Sequence, residues 1–217
     1  SSSPSSSDFV THPLVRPAAI ERRSYQVSIA DAATRGNSLV VLPTALGKTV
    51  ISALTAAATL LSYRDARILV MAPTRPLVLQ HRESFLRLLK LREEDVAILT
   101  GHTSPGIREA MWGGRSRVIF ATPEVVRNDL AEGRFTLADF GLLVFDECHR
   151  AVKEYAYTDV AGYYLQQSKS PLLLALTASP GSKLERVQEV CGNLSIEQIF
   201  FRTEEDADVR PYIQSVR

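Results

Sequence analysis

The sequence predicts an α/β fold, a mainly parallel sheet with helices on both faces, and three observations carry that expectation. Apolar runs rich in Val, Ile and Leu recur at 38–42, 67–72, 96–99, 117–121, 141–145 and 172–176. Most are continuous rather than alternating, as strands buried on both faces are. Each run ends in a polar or Gly/Pro junction and is mostly followed by a stretch of helical character, which is the rhythm of βαβ units. The first run leads into Leu42-Pro43-Thr44-Ala45-Leu46-Gly47-Lys48-Thr49, a phosphate loop set where a strand turns into a helix N-terminus.

Taken in order, the chain opens on Ser1-Ser2-Ser3-Pro4-Ser5-Ser6-Ser7, which has too little apolar surface to offset the entropy of ordering it. Residues 1–13 are therefore expected to be a flexible lead-in. A helix is expected over 20–35, ending at Gly36 as a C-cap. The run 38–42 is the first strand, and the Ala/Leu-rich stretch 50–61 is the helix that follows the loop. The remaining runs supply the other strands. Residues 185–208 carry seven acidic and two basic side chains and read as a last helix and strand leading into a linker. One domain over 14–203 with an acidic linker over 204–217 follows, and 217 residues suffice for a substantial core.

Bulk composition excludes several classes of function. With 25 Lys+Arg against 24 Asp+Glu the net charge is +1, so any nucleic-acid contact must come from local patches. Residues 75–127 contain nine Lys/Arg and six Asp/Glu, which suits either a mildly basic surface or a solvated mixed-charge face. Cys148 and Cys191 are the only cysteines, with no paired metal-ligand spacing and no charged-then-apolar leader, and this points to a reducing, intracellular setting. No apolar run approaches the roughly 20 residues that span a bilayer.

In an open parallel sheet the ligand crevice lies beyond the C-terminal strand ends, and the unusual residues of this chain fall there. At the Lys48 loop, free backbone N–H groups and the helix dipole suit a polyphosphate. Lys48 would reach the β- and γ-phosphates and the Thr49 hydroxyl would ligate Mg²⁺. A Gly-Lys-Thr triplet alone is weak, and its placement is what strengthens it. Its partner is Leu142-Leu143-Val144-Phe145-Asp146-Glu147, an apolar run delivering two carboxylates to its end. Asp146 could hold Mg²⁺ directly or through water, and Glu147 could polarise an attacking water. Cys148 reads as a small buried side chain. A metal site at His149 is disfavoured because His12, His81 and His102 show no ligand spacing with it. Thr177-Ala178-Ser179 places two hydroxyls at another strand end, either as a site or as a capped loop.

These three stretches resemble motifs I, II and III of superfamily 2 helicases, and the chain is similar to the first, RecA-like motor lobe of that superfamily. Further stretches fit: Arg23-Ser24-Tyr25-Gln26 resembles the adenine-reading element, Ala72-Pro73-Thr74-Arg75-Pro76-Leu77 resembles motif Ia, and Thr100-Gly101 and Ala121-Thr122-Pro123-Glu124 resemble later nucleic-acid-contacting motifs. Phe145-Asp146-Glu147-Cys148-His149-Arg150-Ala151-Val152, Tyr155-Ala156-Tyr157, Leu176-Thr177-Ala178-Ser179-Pro180-Gly181-Ser182 and Asp208-Val209-Arg210-Pro211-Tyr212 are similar to archaeal Hef-type helicase-nucleases and their Fanconi anaemia group M relatives.

The resemblance implies ATP and Mg²⁺ as cofactors. Gln26, with Arg23 nearby, would read the adenine. Thr44, Ala45, Gly47, Lys48 and Thr49 would bind phosphates, and Thr49 and Asp146 would hold the metal. His149 would join Thr177 or Ser179 in linking the ATP site to the nucleic-acid track. Thr74, Arg75, Gly101 and Thr122 would touch the backbone of one strand. The implied activity is that of an ATP-dependent DNA helicase or translocase acting on branched or forked DNA in repair or fork restart, cytoplasmic in a prokaryote and nuclear in a eukaryote. The Asp-Glu-Cys-His spelling also resembles Dicer-type and innate RNA-sensing helicases, which leaves double-stranded RNA as an alternative track.

Nothing after Ser182 resembles the second motor lobe, so the chain is expected to be half a motor, monomeric and weakly active alone. Ala45 stands where such loops commonly have Gly. If the backbone there needs φ > 0, its Cβ costs on the order of 1 kcal/mol. That residue and the missing lobe motivate the remaining alternative, a non-hydrolysing nucleotide-dependent DNA-binding module.

Overall fold

The computed structural model describes residues 8–151, 155–178 and 184–214. Seven strands, β1 (Ser38–Val41), β2 (Arg67–Met71), β3 (Val96–Leu99), β4 (Val118–Ala121), β5 (Phe140–Asp146), β6 (Leu173–Thr177) and β7 (Gln198–Phe201), form one sheet in the order β3-β4-β2-β5-β6-β1-β7. Every neighbouring pair is parallel. The helices are α1 (Ser24–Ala33), α2 (Lys48–Ser62), α3 (Arg75–Leu88), α4 (Pro105–Trp112), α5 (Pro123–Ala131), α6 (Ala156–Gln167), α7 (Leu184–Asn193) and the short α8 (Arg210–Gln214).

Continuity of the apolar runs has a direct structural cause. Along β1 and just beyond, Val40 and Leu42 pack with Tyr25 and Ile29 of α1, Ile51 of α2 and Phe85 of α3, while Leu39 and Val41 pack on the opposite face. That second layer includes Trp112 of α4, Val126 of α5, Tyr164 of α6 and Val190 of α7. Side chains alternate between two buried faces, so the run is apolar on both, and its one polar member, Ser38, is buried with its hydroxyl donating to Gly36 O at 2.8 Å.

Local differences from the sequence expectation have local causes. The helix expected over 20–35 is confined to Ser24–Ala33, because residues 19–22 are drawn into contacts with the stretch before them. Val10 N donates to Ile20 O at 2.9 Å, and Phe9 and Glu21 form an antiparallel bridge. Gly36 is not the cap: Thr34 ends the helix, its Oγ1 donating to Asp31 O at 2.6 Å. Residues 204–214, expected as a linker, fold back on the domain. Val209 is fully buried, Tyr212 lies 6.0 Å from Tyr25 ring to ring, and Arg23 sits 5.2 Å over the Tyr212 ring. Among the described residues no helix is long and apolar enough to cross a membrane.

Candidate nucleotide site and nucleic-acid face

The sheet order places the C-terminal ends of β1, β6 and β5 side by side. Val41 is level with Thr177, and Leu176 is level with Asp146. The chain leaving β1 is held to β6 by Leu42 N donating to Thr177 O at 3.1 Å, then makes a 3-10 turn over Thr44–Leu46. Gly47 follows at φ 89°, ψ 43°, and α2 begins at Lys48. The left-handed position of the loop is therefore residue 47, where glycine costs nothing. Ala45 is not among the non-glycine residues at positive φ, so the strain expected there does not arise.

A Cβ at Gly47 would also collide with Gln26 Nε2. Gln26 is buried on the loop, donating from Nε2 to Leu46 O at 2.9 Å, and Tyr25 Oη donates to the same carbonyl at 2.8 Å. Two side chains of α1 thus brace the loop from behind. Tyr25 lies within the stretch that resembles the adenine-reading element but drew no role of its own from the sequence, since a tyrosine in a helix reads as core. Arg23 stands at the start of α1, pairing through Nε with Glu21 Oε2 at 3.2 Å, and does not line the cleft described below.

In front of the loop lies a cleft of about 370 Å³, bounded by Thr44, Gly47, Lys48 and Thr49 on one side and by Asp146 and Glu147 on the other. A third wall is the face of α3 that carries Leu77, Gln80, His81, Ser84 and Arg87, at the i, i+3, i+4, i+7, i+10 spacing of one helix side. The N-terminus of α2 has no side-chain cap, so its first-turn N–H groups face the cleft without a capping acceptor. Lys48 Nζ donates to Leu42 O at 3.1 Å. Burial pulls its pKa below the usual lysine value, and Asp146 and Glu147 oppose that shift.

Asp146 is nearly buried with both oxygens engaged: Oδ1 accepts from Glu147 N at 3.0 Å, and Oδ2 lies 2.8 Å from His81 Nε2. Glu147 itself adopts φ 52°, ψ 49°, an uncommon conformation for a residue with a Cβ, and its carboxylate lies 3.4 Å from Arg150 Nε. Cys148 is a fully buried thiol whose pKa burial pushes up, which makes it an inert small side chain. His149 Nδ1 is 3.2 Å from Thr177 Oγ1, the pairing expected of those two residues. Ser179, the alternative partner, lies outside the described residues.

Tyr157 of α6 fixes the end of β5. Its buried hydroxyl lies 2.6 Å from Asp146 O and 3.1 Å from Met71 O, bridging the last residues of β5 and β2. Tyr157→Phe is expected to cost about 1–3 kcal/mol, because the one hydroxyl proton shared between two buried carbonyls is lost. Urea denaturation of the variant at neutral pH measures it, and a loss below about 0.5 kcal/mol would show that the bridge is dispensable.

The residues expected to touch nucleic acid fall on a second region of the same sheet edge. Thr74 caps α3, its side chain accepting from Leu77 N at 3.4 Å, and Arg75 is the first residue of that helix. Gly101 lies in the turn after β3, and Thr122 is the N-cap position of α5 after β4. Since β3, β4 and β2 are consecutive in the sheet, these positions line up along one edge. Thr74, Arg75 and Gly101 are exposed and Thr122 is half-buried.

The arrangement fits a nucleotide triphosphate with its metal. A lysine whose only hydrogen-bond partner among the described residues is a backbone carbonyl faces two carboxylates across an uncapped helix N-terminus. Among the described residues no group of three or more His, Cys, Asp or Glu side chains could hold a metal alone. A Mg²⁺ that keeps waters and takes ligands from one carboxylate and the phosphates needs no such group.

Comparison with known proteins agrees with this geometry. The DEAD/DEAH box helicase family matches residues 23–187. The crystal structure of the Pyrococcus furiosus Hef helicase domain superposes with a TM-score of 0.88 at 49% identity, over 92% of this chain and 41% of that one. A Methanocaldococcus jannaschii protein named as an ATP-dependent RNA helicase is 40% identical over 96% of this chain and 26% of its own length. The ATP-dependent DNA helicase MPH1 of Pyricularia oryzae is 43% identical over 89% of this chain and 17% of its own length. The Drosophila melanogaster DEAD-box ATP-dependent DNA helicase Fancm is 40% identical over 93% and 14%. The chain thus spans about a quarter or less of these full-length relatives. With the family match running from Arg23 through the Lys48 loop and Asp146 to Val187, this chain belongs to the DEAD/DEAH box helicases.

Proposed function

We propose that this chain is the ATP-binding motor lobe of an ATP-dependent DNA helicase or translocase that acts on branched or forked DNA in repair or fork restart. The observation that carries the reading is the meeting of Lys48 and Thr49 with Asp146 and Glu147 in one cleft, beside a row of strand ends bearing Thr74, Gly101 and Thr122. The names of the MPH1 and Fancm relatives support DNA, whereas the Methanocaldococcus jannaschii relative is named for RNA.

In this reading the first-turn N–H groups of α2 and Lys48 hold the phosphates, with Lys48 leaving Leu42 O to do so. Thr49 and Asp146 would hold Mg²⁺, which would supply charge neutralisation at the phosphate oxygens. Glu147 accepts a proton from the attacking water once it separates from Arg150. Gln26 donates from its amide nitrogen to Leu46 O, and its amide oxygen then accepts from the adenine amine. Arg23, braced by Glu21 and Tyr212, flanks the base. Thr74, Arg75, Gly101 and Thr122 hold the phosphates of one strand, so binding is salt-sensitive and nearly blind to sequence. His149 and Thr177 carry the state of the ATP site toward that track. A second lobe of the same protein supplies the cationic groups that close over the γ-phosphate.

The test is ATP turnover of the full-length protein with forked DNA, single-stranded DNA and duplex RNA. Stimulation at least about tenfold greater by forked DNA than by duplex RNA is expected, a difference of about 1.4 kcal/mol in transition-state stabilisation. Preferential stimulation by duplex RNA would transfer the lobe to an RNA track, and no turnover with any of them would leave a binding module.

A further inference from the structure

We propose that His81 is a positioning residue that holds the metal-facing carboxylate of Asp146 and ties it to the helix whose first turn bears Thr74 and Arg75. The inference rests on the nucleotide-site reading above and adds a second route, besides the His149–Thr177 bond, by which that site senses nucleic acid. His81 carried no signal in the sequence beyond its lack of metal-ligand spacing with His149.

Of the two hydrogen bonds to the Asp146 side chain among the described residues, one is local and the other crosses the fold. Glu147 N, from the adjoining residue, holds Oδ1, whereas His81 Nε2 reaches Oδ2 from α3, 65 residues away in sequence. A carboxylate fixed at both oxygens has its plane set, and that orientation decides where a metal or its water can bind. Outer partners of this kind fix the geometry of metal sites, and removing one typically weakens metal affinity about 10–100-fold.

Nothing else in the structure accounts for an imidazole at this position. His81 is 6% exposed, and its other ring nitrogen, Nδ1, is buried without a hydrogen-bond partner. An apolar side chain of similar size would satisfy the surroundings better, since a buried polar atom without a partner is unfavourable. Among the described residues the ring's only polar contact is the one to Asp146.

Connectivity gives the contact its consequence. His81 lies six residues along α3 from Arg75, a separation of about 9 Å along a rigid helix. A displacement of the first turn by a bound strand therefore moves His81, and through it the Asp146 carboxylate. Linkage requires the reverse effect to be equal in free energy.

The experiment compares wild type, H81A, H81L and H81Q as full-length proteins. Two quantities are measured: affinity for a fluorescent ADP analogue in MgCl₂ and in EDTA, and affinity for a labelled single-stranded DNA oligonucleotide with and without a magnesium-bound ATP analogue. Wild type should bind nucleotide more tightly with Mg²⁺. H81A and H81L should lose about tenfold or more of that Mg²⁺-dependent gain while keeping binding in EDTA within about twofold. Their nucleotide-dependent change in DNA affinity should shrink toward none, and H81Q, which can donate to Asp146, should recover part of both.

H81L separates the bond from packing, because it fills the site with apolar volume and its binding in EDTA reports that the cleft is intact. Unaltered Mg²⁺ dependence and unaltered DNA coupling in H81L and H81A would overturn the link while leaving the nucleotide site standing. A wild-type protein that binds no nucleotide would overturn both.

Discussion

Lys48→Ala in the full-length protein is expected to lower ATP turnover by about 10²–10³-fold or more, with little change in stability. Lys48 is half-buried, and among the described residues its amino group donates only to Leu42 O, the backbone carbonyl just beyond β1. Its removal breaks no direct ion pair, and Asp146 keeps its hydrogen bonds to His81 and Glu147 N. What disappears is a cation already positioned at the phosphate end of an uncapped helix, opposite Asp146 and Glu147. Burial makes that charge more effective than one in bulk solvent, because fewer waters screen it. Steady-state turnover with forked DNA, alongside urea denaturation of the same sample, checks both halves. Turnover within tenfold of wild type would remove Lys48 from the chemistry, and a stability loss above about 2 kcal/mol would show that its role is in folding.

The largest effect on stability is expected at Asp129→Ala, about 3–5 kcal/mol. Asp129 on α5 is fully buried and accepts four hydrogen bonds, from Arg108 Nε at 2.8 Å and Nη2 at 2.9 Å, Trp112 Nε1 at 2.8 Å and Arg134 Nη1 at 2.8 Å. Arg108 is itself buried, so the variant leaves a guanidinium without its counter-charge. The same guanidinium donates to Thr103 O, in the turn that follows Gly101, so the loop there loosens as well.

The pH dependence has a definite sign. Desolvation by burial alone would raise the Asp129 pKa, but the donors from Arg108, Trp112 and Arg134 outweigh it and hold the carboxyl below its ordinary value. A depressed folded-state pKa contributes stability that is fully present above the unfolded value of about 3.9, and that contribution is lost as pH falls through the folded value. Urea denaturation of wild type should therefore show a loss below about pH 4 that is smaller in Asp129→Asn. Equal acid sensitivity in the two proteins would show that other carboxylates dominate.

What could be read along the chain was whatever depends on neighbours in sequence. Runs such as 141–145 announce doubly buried strands, because both faces of a strand are spelled out in consecutive residues. The Lys48 loop and the Asp146-Glu147 strand end were legible for the same reason, since each is a short stretch whose chemistry and backbone setting are contiguous. Gly47 is a marginal case: a glycine in the loop is visible, but the left-handed φ that separates it from Ala45 belongs to the folded backbone.

The remainder was decided across the sheet. The order β3-β4-β2-β5-β6-β1-β7 is not written in any one strand, because apolar runs of similar composition can pair in many orders. That order is what sets Thr74, Gly101 and Thr122 in a row and Thr177 between Lys48 and Asp146. Gln26 turning inward to Leu46 O, Val209 entering the core from an acidic stretch, and His81 reaching Asp146 all join residues far apart in sequence. Such contacts follow from packing and register, which periodicity along one segment does not encode. The loop and the acidic strand end were therefore plain in the residues themselves, whereas the partners that hold them in working geometry emerged only when distant segments were brought within a few ångströms of each other.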